Sequence, residues 1–339
     1  MSDKYSATWV SNSSISDFLK CPRAYFLKNV YKRENGAKIM ITSPALSLGS
    51  AVHNTVEALA KIPAAERFNN PEHILQSFDQ EWKKVSGEIG GFENGEEERA
   101  YYERGKKMLE QIVVDPKILS DKRVIIPDTP NGMLPNFYLS EEENIILCGK
   151  IDWLRYRVVD GQQVIDIYDF KTSRGGREEN DESLQLPIYQ LLLSQYTTRL
   201  RQEQPNKKAW WQDNFKVAKA FYWYLETGEI KEKELLPERD AFEMVFAKAQ
   251  QVNNKRQLLN VKIAEYAQKN GDRWRAKEQV IAEESKNKTI FTCLHGDRGC
   301  FACRDLEKIL QGEAKFVGMQ YYDENDKKGT ELYLVKQSK

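Results

Sequence analysis

The tightest constraint in this chain of 339 residues is a turn. Asp160-Gly161 separates two runs rich in Ile, Val, Tyr and Leu, residues 144–159 and 162–171. Asp-Gly is a preferred pair for a two-residue type I′ hairpin. Such a turn fixes the register: Val159 faces Gln162, and further down Asp152 faces Asp169 and Lys150 faces Lys171. Opposed Cβ atoms lie roughly 4.5 to 5.5 Å apart, so two carboxylates placed this way repel unless a cation joins them. Strand alternation also sets Asp169 and Lys171 on one face, with Phe170 pointing away and its carbonyl free to turn inward. Oxygen ligands at this density suit Mg²⁺ or Mn²⁺, which accept substrate phosphate, and a nearby lysine can orient or help deprotonate the attacking water. These are the parts of phosphodiester hydrolysis. A lone D-x(16)-D-x-K pattern is more often a solvated hairpin end, so the rest of the chain must decide.

The first third is mostly helical. Ser13-Ser14-Ile15-Ser16-Asp17 predicts a cap for a helix holding Cys21, residues 46–60 a second helix with His53 and Glu57 beside its apolar face, and 71–86 and 96–114 two more. From Lys122 the chain turns to β at 123–126 and 144–171, followed by a helix at 183–200 and an aromatic strand at 217–225 turning at Thr227-Gly228. Residues 240–268 return to helix, a cysteine loop covers 293–303, and 315–335 predicts a closing hairpin. With 51 basic and 51 acidic residues the net charge is zero, so nucleic-acid binding must come from a local patch. No apolar stretch approaches the length of a membrane span and no signal segment opens the chain, which reads as cytoplasmic. The lack of G-x-x-x-x-G-K-[ST] argues against a built-in NTPase motor.

Five segments in order strengthen the hairpin reading: Ser11 to Tyr25 (S-x-S-x-I-x-x-F-x-x-C-P-x-x-Y), Leu48-Gly49-Ser50-Ala51-Val52-His53, Gly149-Lys150-Ile151-Asp152, Asp169-Phe170-Lys171-Thr172 and Gln185-Leu186-Pro187-Ile188-Tyr189. Together they resemble the RecB and AddB nuclease domains of the PD-(D/E)xK class and the related CRISPR-associated exonucleases. The resemblance implies an α/β (α+β) fold with a restriction-endonuclease-like core, a central mixed sheet flanked by helices. It implies that Asp152, Asp169, His53 and the Phe170 carbonyl hold Mg²⁺ or Mn²⁺, that Lys171 is catalytic, and that Gln185 and Tyr189 support the lysine and contact DNA, single-stranded DNA being favoured. It also implies a helicase, CRISPR or recombination partner. The expected organisation is one nuclease domain over 1–312, comprising a helical part (1–120), a sheet core (121–230) and a helical, Cys-rich part (231–312), with a hairpin extension at 313–339.

Cys21 near one end and Cys293, Cys300 and Cys303 near the other offer four soft ligands, suited to a 4Fe-4S cluster or a structural Zn²⁺. RecB-like relatives with an iron-sulfur staple place one cysteine before the core and three after it, commonly with C-x-x-C leading. Here the longer gap leads and His295 lies close by, so cluster and zinc both remain open, whereas Cys148 reads as a buried thiol. Arg174, Arg177 and Lys207-Lys208 are candidate phosphate contacts, and Trp210-Trp211 a stacking platform. Phe221-Tyr222-Trp223-Tyr224 reads as core.

Overall fold

The computed structural model describes residues 6–129, 133–173, 183–296, 299–321 and 327–335. Arg174 and Arg177 lie outside them. In chain order the elements begin β1 (Thr8–Val10), α1 (Asn12–Lys20), α2 (Pro22–Tyr25), β2 (Lys38–Ile41), α3 (Pro44–Leu59), α4 (Pro71–Lys83) and α5 (Gly95–Val114). Then come β3 (Arg123–Val124), β4 (Asn136–Ser140), β5 (Ile145–Cys148), β6 (Trp153–Val159), β7 (Gln162–Lys171), α6 (Gln185–Leu191) and α7 (Thr197–Glu203). The chain continues through β8 (Phe215–Tyr224), β9 (Glu229–Lys233), α8 (Glu238–Asn270), α9 (Arg273–Asn287), α10 (Phe301–Gln311), β10 (Lys315–Gln320) and β11 (Thr330–Leu334). It divides into two compact units, one made of residues 1–42, 138–146 and 246–339, the other of 43–137 and 147–245.

The second unit is built on a five-stranded sheet of order β3-β6-β7-β8-β9. Asp160 and Gly161 take φ of 50° and 77°, the left-handed pair a type I′ turn demands, which Gly161 adopts without a Cβ penalty. From there β6 and β7 pair antiparallel, Val159 opposite Gln162 through to Trp153 opposite Tyr168. That is the expected register, but β6 starts at Trp153. Asp152 lies in the bend just before the strand, its Oδ2 accepting from Phe170 N–H at 2.9 Å. The expected facing of Lys150 and Lys171 fails: Lys150 Nζ sits 2.5 Å from Glu57 Oε2. β7 also pairs parallel with β8, Asp169 beside Tyr222, which needs a crossover supplied by α6 and α7 and the π-helical turn joining them. With neighbours on both sides, Val164 to Phe170 are all buried. The buried charge Asp166 is matched by a bidentate Arg157, at 2.7 and 2.9 Å.

Helices α3, α4 and α5 bury Val52, Val56, Phe78, Met108 and Leu109 in one cluster with Trp153, Phe170 and Trp223. Each such side chain contributes about 2 kcal/mol. In the first unit the 315–335 hairpin forms as β10 and β11, and β11 pairs parallel with β2, which the sequence reading missed. Two other expectations change there. Helix α1 is capped by Ser11 in a reciprocal box with Ser14, upstream of the expected cap within residues 13–17. It ends at Lys20, so Cys21 is extended (φ −167°) between α1 and α2, where Pro22 opens the next helix at a position that needs no N–H.

Candidate active site and cysteine cluster

Three elements of the second unit bring the catalytic candidates together. Ser43 caps α3 by accepting from Leu46 N–H, and one turn separates His53 from Glu57 on that helix. The imidazole stands edge-on to Phe170, ring centroids 6.2 Å apart, with Nδ1 3.6 Å from Asp152 Oδ2. Burial lowers the His53 pKa despite the Asp169 and Glu57 carboxylates, which leaves the ring neutral and a nitrogen lone pair available. The Phe170 backbone is in hydrogen-bond reach of that ring.

At the end of β7, Asp169 is 1% exposed. Its Oδ1 accepts from Gln185 Nε2 at 2.6 Å and from the Tyr189 hydroxyl at 3.3 Å, both on α6 one turn apart, while Gln185 Nε2 also reaches Tyr189 Oη at 3.0 Å. Lys171 Nζ donates to Gln185 Oε1 at 2.8 Å, lies 2.7 Å from Asp169 Oδ2 and stands over the Tyr222 ring, 4.9 Å from its centroid. Lys171 thus ion-pairs with the buried Oδ2 while Gln185 and Tyr189 hold Oδ1. Burial raises Asp152 to about 6, with Glu57 adding to the rise, and burial plus the Asp152 charge raises Asp169 to about 7 against the pull of Lys171. Two desolvated carboxylates and a neutral imidazole form a donor set that a hard divalent cation fits.

Tyr222 was not foreseen as a neighbour of this site, because only the parallel pairing of β7 with β8 brings it there. Nor was Arg123, whose Nη2 donates to the Asp152 carbonyl at 3.1 Å while its guanidinium covers Trp153, 4.3 Å from the ring centroid. Lys207 stands over Trp211, 5.5 Å from its centroid, and Trp211 is buried while Trp210 donates to the Ile125 carbonyl, so this pair is largely structural. Tyr222, Trp223 and Tyr224 are buried, as expected, with Phe221 half-buried.

The first unit gathers Cys21, Cys293, Cys300 and Cys303, their sulfurs all within 4.8 Å of one another. Among the described residues this group contains no histidine, and His295 meets it through its backbone N–H, which donates to Cys293 Sγ at 3.4 Å. Cys300 caps α10 and Cys303 occupies its first turn, Cys300 N–H donating to Cys303 Sγ at 3.4 Å. Backbone hydrogen bonds from Cys303 and Ala302 and the neighbouring Cys21 and Cys293 side chains outweigh burial and bring Cys300 down to about 6, whereas burial pushes Cys21 up to about 11 and Cys303 up. Thiols so crowded lose their protons together only to a cation, and four thiolates fit a soft metal centre. Next to Cys21, the fully buried Arg23 anchors the bend, with Nε 2.5 Å from Glu307 Oε1 and Nη2 donating to the Ser285 carbonyl at 2.6 Å. Cys148 stands apart as a partly buried thiol pushed up to about 11 by burial. No described helix is long and apolar enough to cross a membrane.

No match to a curated protein was found. The family model of the PD-(D/E)XK nuclease superfamily matches residues 10–304, a span that holds both clusters. A metal-dependent nuclease acting on nucleic acid is what that superfamily implies, and the chain belongs to it.

Proposed function

We propose that the chain is a Mg²⁺- or Mn²⁺-dependent deoxyribonuclease, an exonuclease of the RecB/AddB-like branch related to the CRISPR-associated exonucleases. It works in the cytoplasm on single-stranded DNA in repair, recombination or mobile-element processing, with a helicase or CRISPR/recombination protein as partner. The observation that carries this reading is Asp169, a buried carboxylate gripped by Gln185 and Tyr189 and placed between Lys171 and the His53–Asp152 pair. His53, Asp152, Asp169 and the Phe170 carbonyl would hold the cation, which when bound supplies charge neutralisation for the scissile phosphate and a polarised attacking water. Gln185 fixes the Lys171 ammonium 2.8 Å away, and Lys171 meets a phosphate oxygen or the incoming water. Tyr189 and Gln185 keep Asp169 from turning away from the cation.

The four cysteines hold a 4Fe-4S cluster, with Zn²⁺ as the alternative. The deciding experiment incubates purified protein with end-labelled single- and double-stranded DNA in Mg²⁺, Mn²⁺ or EDTA, beside Asp169→Ala. Cation-dependent shortening of single strands by wild type alone is expected. DNA that is bound but uncut under every condition would leave the other reading, a non-catalytic Fe-S or zinc nucleic-acid-binding subunit. Iron, acid-labile sulfide and zinc measured after anaerobic purification separate cluster from zinc.

A further inference from the structure

Beside the two aspartates lies a group of charges that the metal site does not use. Lys150, two residues before Asp152, pairs with Glu57, one turn after His53, across 2.5 Å. The lysine is 52% exposed and the glutamate 24%, so the pair sits at the rim and contributes little to folding. The backbone entering Lys150 is pinned: Gly149 N–H donates to the Pro135 carbonyl at 3.1 Å, and a Cβ on Gly149 would stand 2.9 Å from Leu192 Cδ1. On the neighbouring strand Arg123 is bonded to the Asp152 carbonyl, and its Nε and Nη1 are buried with no hydrogen-bond partner among the described residues. Glu57 is the strongest opposite charge that its guanidinium feels.

The charges sum to a definite expectation. With both aspartates ionised, as cation binding requires, Lys150, Arg123, Lys171 and the nearby Arg67 are balanced by Glu57, Asp152, Asp169 and the nearby Asp128, so the group is neutral. A bound divalent cation takes it to two positive charges, one more than the scissile phosphodiester cancels. We propose that Lys150 binds the backbone phosphate next to the scissile one, with Arg123 supplying positive potential behind it, and that Glu57 holds the ammonium in place until the phosphate displaces the carboxylate. This rests on the nuclease reading of the Asp152–Asp169–Lys171 site. Lys150 thereby becomes a register contact: it recognises the strand's backbone and sets which phosphate comes to lie on the metal.

The test is fluorescence anisotropy with a 5′-labelled 30-nucleotide single-stranded DNA and Mn²⁺ over a series of salt concentrations, in a Lys171→Ala background. Lys150→Met should weaken binding about five- to tenfold and reduce the slope of log K against log salt by about 0.7, the loss of one phosphate contact on a single strand. Lys150→Arg should keep both, and Glu57→Gln, which frees the ammonium, should tighten binding. An unchanged affinity and slope in Lys150→Met overturns the proposal. So does Glu57→Gln weakening binding as Lys150→Met does, since the pair would then be structural. Labelled DNA that is shortened in the Lys171→Ala background itself would instead refute the assignment of the active site.

Discussion

Replacing Asp169 by Asn should make the metal-free protein more stable while destroying its response to metal. The carboxyl rises from an ordinary 3.8 to about 7 because it is buried and faces Asp152. At about 1.4 kcal/mol per pH unit, ionising it in the folded chain at pH 8 costs about 4 kcal/mol. Asn removes that charge, but its amide turns an N–H toward a donor, Gln185 Nε2 or Lys171 Nζ, which returns about 2 kcal/mol. The net gain is about 2 kcal/mol, or about 5 °C in the midpoint for a unit of this size. The sign with pH follows. A carboxyl raised in the folded state holds its proton longer there than in the unfolded chain, so metal-free stability falls as pH rises from about 4 to about 7. Asp169→Asn is therefore about 2 kcal/mol less stable than wild type near pH 4, where only the misdirected amide counts, and about 2 kcal/mol more stable above pH 7. Thermal unfolding of both proteins at pH 4, 6 and 8, in EDTA and in Mn²⁺, reads this out. Mn²⁺ should raise the midpoint of wild type and leave the variant unmoved. A variant less stable than wild type in EDTA at pH 8, or an equal Mn²⁺ shift in both, would refute the reasoning.

Lys171→Ala should reduce cleavage by several orders of magnitude while the Mn²⁺-induced rise in melting temperature persists, because Asp152, Asp169 and His53 remain; full activity in a gel assay would remove the lysine from the site. Cys21→Ala should lose the metal of the cysteine cluster and lower the melting temperature, whereas Cys148→Ala should do neither; elemental analysis of the two variants is the check. Gly161→Val should destabilise by about 1–2 kcal/mol, since φ of 77° is open to glycine and strained for a β-branched residue. Urea unfolding showing no loss would mean that the turn relaxes at no cost.

The hairpin was legible because a two-residue turn leaves little freedom of register, and the pairing from Val159–Gln162 to Trp153–Tyr168 follows from it. It stopped being legible at Asp152, where the chain leaves the ladder for reasons held elsewhere: Arg123 grips its carbonyl and Phe170 N–H takes its carboxylate. That Gln185 and Tyr189 support the lysine came from family resemblance, since spacing alone said only that they share a helix face, and their grip on Asp169 was not foreseen. Pairing partners far away in sequence carried no local signal, so Tyr222 beneath Lys171 and β2 beside β11 were missed. Helix α9 escaped because its inward residues, Ala276, Val280 and Glu284, make no apolar stripe. The break at Cys21 did have a signal, Pro22, which opens a helix rather than sitting inside one.

The first unit is stitched from both ends of the chain, and this imposes an order on synthesis. By the time Val245 has been added, every residue of the second unit exists, while Cys21 still waits for three partners that have not yet been translated. The four cysteines can therefore come together only after every residue of the second unit has been added. A message broken between codons 246 and 292 would yield a chain with every candidate active-site residue and a Cys21 without its three partners.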